Sequence, residues 1–576
     1  MWDIETGQTY PSQLLNENGT ISVVAQHYNR KLIQILKSAG VYHNVASVHY
    51  LISEKSGLKA SPLKLIRQGW ARIQREIAVF APNTQRILLF SDTKSLRVVV
   101  PGCPGDVQDT HGTLFQVGEH IIVPTFGVDD WNLEHVQPWI LRDIERCMKL
   151  TRPAKPLSYG TRFPMQCRKL VIDIETTGLD SETDTITVLG LQWDDNERSL
   201  ITGDENIKRT VTVITEWLWC GAIKEVWMHN AQFDSAFFTK DFREAVYGKL
   251  HDTMLIAKSR GELVATLKHL GNTYTNRPGN YAWYVPGSPH EFTDPAYVCE
   301  DIDTTWKLSK LWARDTAKPI NNLMNRCTLM AVDQTKTGTM IDAQYLDQIV
   351  TDTRAYLEHA AIELMEKYGC HPNQTEQLVQ NLTDMGYVFS KQTKNGKDSL
   401  TADVLEENGL DDLLEFRRAM KLDSAFVGKI KSLLRPNGTL PHHQVMLGAE
   451  TGRTTMKDFN FQQVPKKGPS KKLIVSRFER GQILQVDLSQ AELRIAAYLS
   501  NDHAFAAALL RGDMHRENAA RAFGISEDEV TDDQRFQAKA VIFRTIYGGR
   551  PITDGQKRVY EYAKKAFPDL FRWMTK

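Results

Sequence analysis

The chain has 576 residues, with 70 Lys+Arg against 70 Asp+Glu and a formal net charge of zero. At roughly 150 residues per domain there is room for about three or four domains, which excludes a single small binding module. With 41% hydrophobic and 24% charged residues, the composition is that of ordinary folded cores, neither disordered nor fibrous. No apolar run approaches the roughly 18 to 20 residues of a membrane span, and Met1–Thr20 lacks a basic-then-apolar signal pattern. Seven scattered cysteines without a C-x-x-C pair point to reduced thiols in a cytosolic compartment and away from a cysteine-built zinc or iron–sulfur site. A neutral chain that binds nucleic acid must do so through a local basic surface balanced by acid elsewhere.

The first region, residues 1–150, reads as α/β. Its parallel segments are Leu32–Val41, Val41-Tyr-His-Asn-Val45, Gln74–Pro82, Arg86–Leu96 and Val117–Thr125, followed by Trp139–Glu145. In order and spacing these segments, within residues 27–150, loosely resemble the uracil-DNA glycosylase superfamily. The acidic Gly-Glu-Ala-Pro-Gly loop of that family is missing, and Pro124-Thr-Phe-Gly127 stands where His-Pro-Ser belongs. The resemblance therefore implies the fold without the activity, in a docking or template-binding platform. Residues 151–165, beginning with the Pro-, Ser- and Gly-rich Thr151–Gly160, read as a linker.

Residues 166–315 read as an α/β domain. In Leu170-Val-Ile-Asp-Ile-Glu-Thr-Thr-Gly-Leu179 the apolar residues mark a buried strand, and Asp173 and Glu175, two apart, share one face near its end. Two carboxylates pressed together repel, and a divalent cation relieves them. Further strands are predicted at Thr185–Trp193 and at Glu225–His229, the latter running into a loop that ends at Asp234. Asp294 is a plausible N-cap with Pro295 in the first helical position, so Tyr297 and Asp301 stand i and i+4 on one helix face. Together, D-x-E, N-x-x-F-D and Y-x-x-x-D resemble the DEDDy family of 3′→5′ proofreading exonucleases. The resemblance implies a ribonuclease-H-like fold in which Asp173, Glu175, Asp234 and Asp301 hold two Mg²⁺ or Mn²⁺ ions. It further implies that Tyr297 orients the attacking water, that Leu179 wedges against the terminal base, and that Asn230 contacts the frayed strand. For Leu179, ordinary packing is the competing reading.

Residues 316–576 read as mostly helical, with a predicted strand at Gln482–Leu488 ending near Asp487, then a turn into a helix. Downstream, Arg535, Lys539, Phe543 and Tyr547 recur every four residues on one helical stripe that Gly548-Gly549 ends. Two cations followed by two aromatics are poor core material; they suit a triphosphate at one end and a base pair at the other. Asp487-Leu-Ser-Gln-Ala-Glu-Leu-Arg494 and Arg535–Gly548 match the D-x-S-Q-x-E-L-R and R-x3-K-x3-F-x3-Y-G signatures, and the region resembles the family A DNA polymerases. That implies a partial right-hand fold with part of the palm, a thumb at 342–440 and part of the fingers at 511–576. It implies a metal ligand in Asp487, with the Leu488 carbonyl also facing a metal, and two Mg²⁺ or Mn²⁺ ions in this site as well. Arg535, Lys539 and His515 are expected to hold the dNTP phosphates. Glu492 is expected to exclude a ribose 2′-OH, and Phe543 and Tyr547 to shape the base-pair pocket. Gln490, Arg494, Arg453 of Thr451-Gly-Arg453, and Gln462 of Asn460–Pro465 are expected at the nucleotide, primer or template. His371–Leu378 is similar to the turn before the thumb helices, whose Lys391, Lys394, Arg417, Arg418, Lys421, Lys429 and Lys431 are candidates to track phosphates.

One signature is missing. No His-Asp-Glu, the family's third palm motif, occurs after Gly548 in the sequence, which stops at Lys576. The expectation is a split enzyme of phage type, acting in the cytoplasm of an infected host, with an experimental or natural truncation as the alternative. Proofreading would be self-sufficient in this chain, and synthesis would need a second polypeptide carrying the rest of the palm. Primer-template DNA, single-stranded 3′ ends and dNTPs are the expected partners. The alternatives are a stand-alone 3′→5′ exonuclease with a DNA-gripping polymerase remnant, and a non-catalytic docking subunit.

Overall fold

The computed structural model describes residues 13–15, 21–27, 31–52, 62–100, 107–117, 119–149, 157–163, 166–275, 295–389, 400–449, 451–464 and 469–574. Asp294, Lys391, Lys394, Pro465 and the first half of the expected linker lie outside the described residues. Two compact units result, 1–477 and 478–576. Among the described residues no helix is long and apolar enough to cross a membrane.

The first unit opens with a six-stranded sheet: β1 (Gln13–Leu14), β2 (Ile21–His27), β3 (Val45–Ile52), β4 (Arg86–Phe90), β5 (Phe115–Val117) and β6 (His120–Thr125), in the order β1-β3-β2-β4-β6-β5. The four inner strands are parallel. Their Val, Ile and Leu runs are buried on both faces, as a parallel sheet covered by helices requires. One covering helix, α1 (Gln137–Lys149), buries Trp139, Ile140 and Ile144 against this core.

The second sheet comprises β7 (Lys169–Thr176), β8 (Ile186–Gln192), β9 (Arg198–Thr202), β10 (Glu225–Met228) and β11 (Leu250–Asp252), ordered β11-β10-β7-β8-β9. It is mixed: β10 runs parallel to β7 and β11, whereas β7, β8 and β9 alternate in direction. The three strands anticipated in the sequence are present. The end of the expected linker is not a free tether, because Gly160 bridges to Ser199 and adds to the β9 edge. Along β7, Leu170, Ile172 and Ile174 feed one core while Val171 feeds the core on the opposite face. Asp173 and Glu175 share the side of Val171 by strand alternation. Around this sheet lie α2 (Ala231–Phe237), α3 (Leu267–Tyr274) and α4 (Pro295–Leu311).

Beyond α4 and a helix over Pro319–Thr337 lies α5 (Ala343–Tyr368), a long helix capped by Asp342 and ended by Gly369 in the left-handed region. Shorter helices follow to Leu433, and Leu364, Leu378, Leu405, Leu413 and Phe416 form a small core of their own. The lysines and arginines here are partly committed elsewhere. Arg417 donates to the Leu400 carbonyl at 2.6 Å, while Arg418 and Lys431 pair with Glu406 and Asp347. Lys421 and Lys429 remain exposed.

In the second unit, α6 (Ala491–Ser500) and α7 (Asp532–Ile546) are among the helices that share a core including Leu493, Phe505, Ile542 and Phe567. The strand predicted at Gln482–Leu488 does not form. Those residues form no regular element and are exposed, Leu484 by 87%. A strand needs a neighbour to take its N–H and C=O groups, and among the described residues this segment pairs with none.

Candidate active sites

The first site is built on β7 and α4. Asp173 is the register partner of Gly190 on β8, and α4 packs over that glycine through Val298 and Ile302. This close packing brings Asp301 to the β7 carboxylates. Tyr297 and Asp301 do share a face: the Lys268 ammonium of α3 lies 3.9 Å from the Tyr297 ring centroid and ion-pairs with Asp301. Asp234 enters from α2 and is buried.

The electrostatics identify one cluster. Burial first, then Asp173 and Asp301 beside it, pushes Glu175 up to about 9, with Lys268 opposing. Asp173 is raised by burial and by Asp301, again opposed by Lys268, and Asp234 by burial and by Asp173. Neighbouring His229 is driven the other way, down to about 3, by burial and by the cations of Lys268 and Lys258. Among the described residues no three His, Cys, Asp or Glu side chains converge into a ready-made metal cage. The donor chemistry nevertheless fits divalent cations. These acids crowd one another, Asp173, Glu175 and Asp234 hold protons above the usual carboxylate range, and Asp301 has drawn in one lysine as counter-charge.

Three contributors carried no signal in the sequence. Lys268 sits in an ordinary amphipathic helix, His229 ends a strand, and Asp252 looks like any helix cap. Asn230 joins β10 to α2 at φ 61°, a left-handed conformation. Asp252 holds that turn by accepting from the N–H groups of Asn230 (3.0 Å), Ala231 (2.9 Å) and Met254 (2.8 Å). Leu179 is 86% exposed beyond the end of β7, so the packing reading of this residue is excluded.

The residues of the second candidate set fall in both units. Arg453 and Gln462 lie in the first unit, Arg453 near the tip of a hairpin of Gln444–Val445 and Thr455–Met456. In the second unit the α7 stripe is intact. The Arg535 Nε donates to Asp513 at 2.5 Å, and Lys539 lies over the Phe543 ring. The Tyr547 hydroxyl donates to Glu492 of α6 at 2.8 Å, joining two predicted pocket residues. Gln490 precedes α6 in the left-handed region, and Arg494 donates to the Ser489 carbonyl. One expectation needs correction. Asp487 and Leu488 lie on an exposed segment without regular structure instead of at a buried strand end, because among the described residues that segment has no strand neighbour. His515 is buried beside Phe543, and burial together with Arg535 and Lys539 drives it down to about 4, against the pull of Asp513.

Comparison with known proteins places one of these regions in a class. Residues 329–556 match the family model described as DNA polymerase family A. Among curated relatives, DNA polymerase I of Chloroflexus aurantiacus is 28% identical over 355 residues, covering 56% of this chain and 37% of that protein. The thermostable DNA polymerase I of Thermus thermophilus is 30% identical over 254 residues, covering 41% and 30% respectively. That of Caldicellulosiruptor bescii is 34% identical over 253 residues, covering 40% and 29%. The chain thus spans about a third of the length of these relatives. Among solved structures, the POL domain of Pol1 from M. smegmatis, in complex with DNA primer-template and dNTP, superposes with a TM-score of 0.56 at 20% identity. It covers 70% of this chain and 74% of that one, a likeness of fold.

Proposed function

We propose that the chain is the large part of a template-directed DNA polymerase with a built-in 3′→5′ proofreading exonuclease, whose synthesising site is completed by a second polypeptide. The observation that carries the exonuclease half is the meeting of Asp173, Glu175, Asp234 and Asp301 around Lys268 and Tyr297 on a mixed sheet, which supports the ribonuclease-H-like reading. The four acids would hold two Mg²⁺ or Mn²⁺ ions, which when bound supply a hydroxide and stabilise the leaving 3′ oxygen. Tyr297 orients the attacking water from the Asp301 face. Leu179 projects where it can part the terminal base, and Asn230 meets the frayed strand. Until cations arrive, Lys268 neutralises Asp301.

The polymerase half rests on the family match and on the α7 stripe. Arg535 and Lys539 offer exposed or half-exposed cations to the dNTP phosphates, and Tyr547 holds Glu492 where a ribose 2′-OH would enter. DNA primer-template and dNTP, bound by the structurally similar Pol1 domain, are the partners proposed here. The exposed apolar residues of Ile483–Leu488 support an edge that pairs with a strand of the second polypeptide. The parallel N-terminal sheet supports the glycosylase-superfamily fold without its chemistry.

The test is direct. The chain alone with Mg²⁺ degrades single-stranded 3′ ends, and Asp173→Ala abolishes this; retained degradation removes the metal assignment. Primer extension appears on adding the second polypeptide, and extension by the chain alone refutes the split reading. A stand-alone exonuclease is the second reading, favoured by the exposed position of Asp487. It predicts no extension under any complementation.

A further inference from the structure

We infer that the N-terminal domain is a positioning element of the exonuclease site, acting through α3 by way of His111, Arg142 and Arg146; the inference rests on the exonuclease reading above. Consecutive residues of α3 serve two domains. Lys268 turns toward Tyr297 and Asp301, whereas His269, about 100° further round the helix, turns into the N-terminal domain. There its Nδ1 stands 3.0 Å from His111 Nε2, and His111 Nδ1 stands 3.1 Å from both oxygens of Asp143 on α1. Asp143 also accepts from the Thr125 hydroxyl at 2.7 Å, at the end of β6. His111, His269 and Asp143 are at most 1% exposed, and Trp139 packs edge-on against His269 with ring centroids 4.3 Å apart.

The helix is also gripped at its end. Its C-cap residue, Thr275, receives the guanidinium groups of Arg146 (2.8 Å) and Arg142 (3.1 Å) on its carbonyl. Cations at a helix C-terminus satisfy carbonyls that the helix leaves open. The contact is therefore directional at two points, a buried acid–imidazole–imidazole chain in the middle and two guanidinium donors at the end. Directional bonds of this kind fix rotation about the helix axis, which an apolar patch alone leaves free to slide. The rotation of α3 decides where Lys268 meets Asp301 and Tyr297. The Thr125 segment, where a glycosylase would carry a catalytic His-Pro-Ser, instead serves to hold α3.

The experiment uses the full chain. His111→Ala is expected to lower kcat for single-stranded 3′-end degradation about tenfold or more with KM unchanged. It also weakens Mn²⁺ binding, read by electron paramagnetic resonance without turnover. His111→Gln, which keeps a donor toward Asp143, restores part of both. Arg142→Ala removes one of two donors to the Thr275 carbonyl from a half-exposed position, and shifts the same two readouts less, in a chain that folds even if His111→Ala does not. Unchanged kcat and Mn²⁺ affinity in the folded variants overturn the inference. If Asp173→Ala retains degradation, it is the exonuclease reading that fails instead.

Discussion

Gly190 faces Asp173 across the β7–β8 ladder, and a Cβ at that glycine would stand 2.7 Å from Val298 Cγ1 and 3.2 Å from Ile302 Cγ2 on α4. The missing side chain lets the helix that carries Tyr297 and Asp301 settle onto the strand next to Asp173. Gly190→Ala must push α4 away from the sheet. The expected cost is about 1–3 kcal/mol of stability, as for other overpacked cores. Exonuclease activity should fall at least tenfold in protein that is still folded. A thermal melt and a 3′-end degradation assay read the two effects, and wild-type values for both would show that the close packing does not matter.

The acid cluster makes stability depend on pH and on cations. Glu175 is pushed up to about 9 by burial and then by Asp173 and Asp301, from an ordinary value of 4.5. The folded carboxyl keeps its proton at a pH where the unfolded chain has already released it, so the unfolded state binds fewer protons. Stability is therefore highest below the ordinary value and declines as pH rises toward 9. In EDTA the melting temperature should drop between about pH 5 and 9, and Mg²⁺ should restore it most at the alkaline end. A flat profile in EDTA would mean that the carboxyls do not crowd one another.

Asp252 tests how far the site depends on a residue outside it. Its carboxylate accepts from the N–H groups of Asn230, Ala231 and Met254, and so fixes the left-handed turn that delivers Asp234. Asp252→Ala leaves buried amides without an acceptor, at about 1–3 kcal/mol for an unsatisfied group. Asp252→Asn keeps one oxygen but turns an amide donor on another. Both should lower kcat more than they raise KM, since a displacement of about 1 Å at a reacting group costs up to about 100-fold. An effect confined to the melting temperature would make Asp252 merely structural.

Lys539 is the residue that should separate the two proposed activities. With its ammonium exposed on α7, Lys539→Ala should reduce primer extension in the complemented enzyme by about 100-fold or more, the scale of losing one preorganised charge at a phosphoryl group. Degradation of 3′ ends by the same variant should stay at the wild-type rate. Equal loss of both activities would point to a folding defect in place of a nucleotide-binding role.

Much of the proposed exonuclease site was legible in the sequence, because its acids sit at spacings that strand and helix geometry convert directly into shared faces. Asp173 and Glu175 are two apart on β7, and Tyr297 and Asp301 are four apart on α4. The α7 stripe was legible for the same reason. Gln482–Leu488 shows the limit: its apolar pattern specifies a strand, yet a strand forms only when another lends it hydrogen-bond partners.

By itself, then, the sequence determined the periodic features: which residues line one face, where helices end, and which signatures mark the polymerase region. The tertiary structure alone decided that Lys268 enters the acid cluster, that Asp252 braces the Asn230 turn, that His515 is buried, and that His111 reaches His269 from beside the first sheet. Those contacts join residues far apart in the chain. No local pattern encodes them, because burial and charge act through space on whatever the packed helices and sheets bring near.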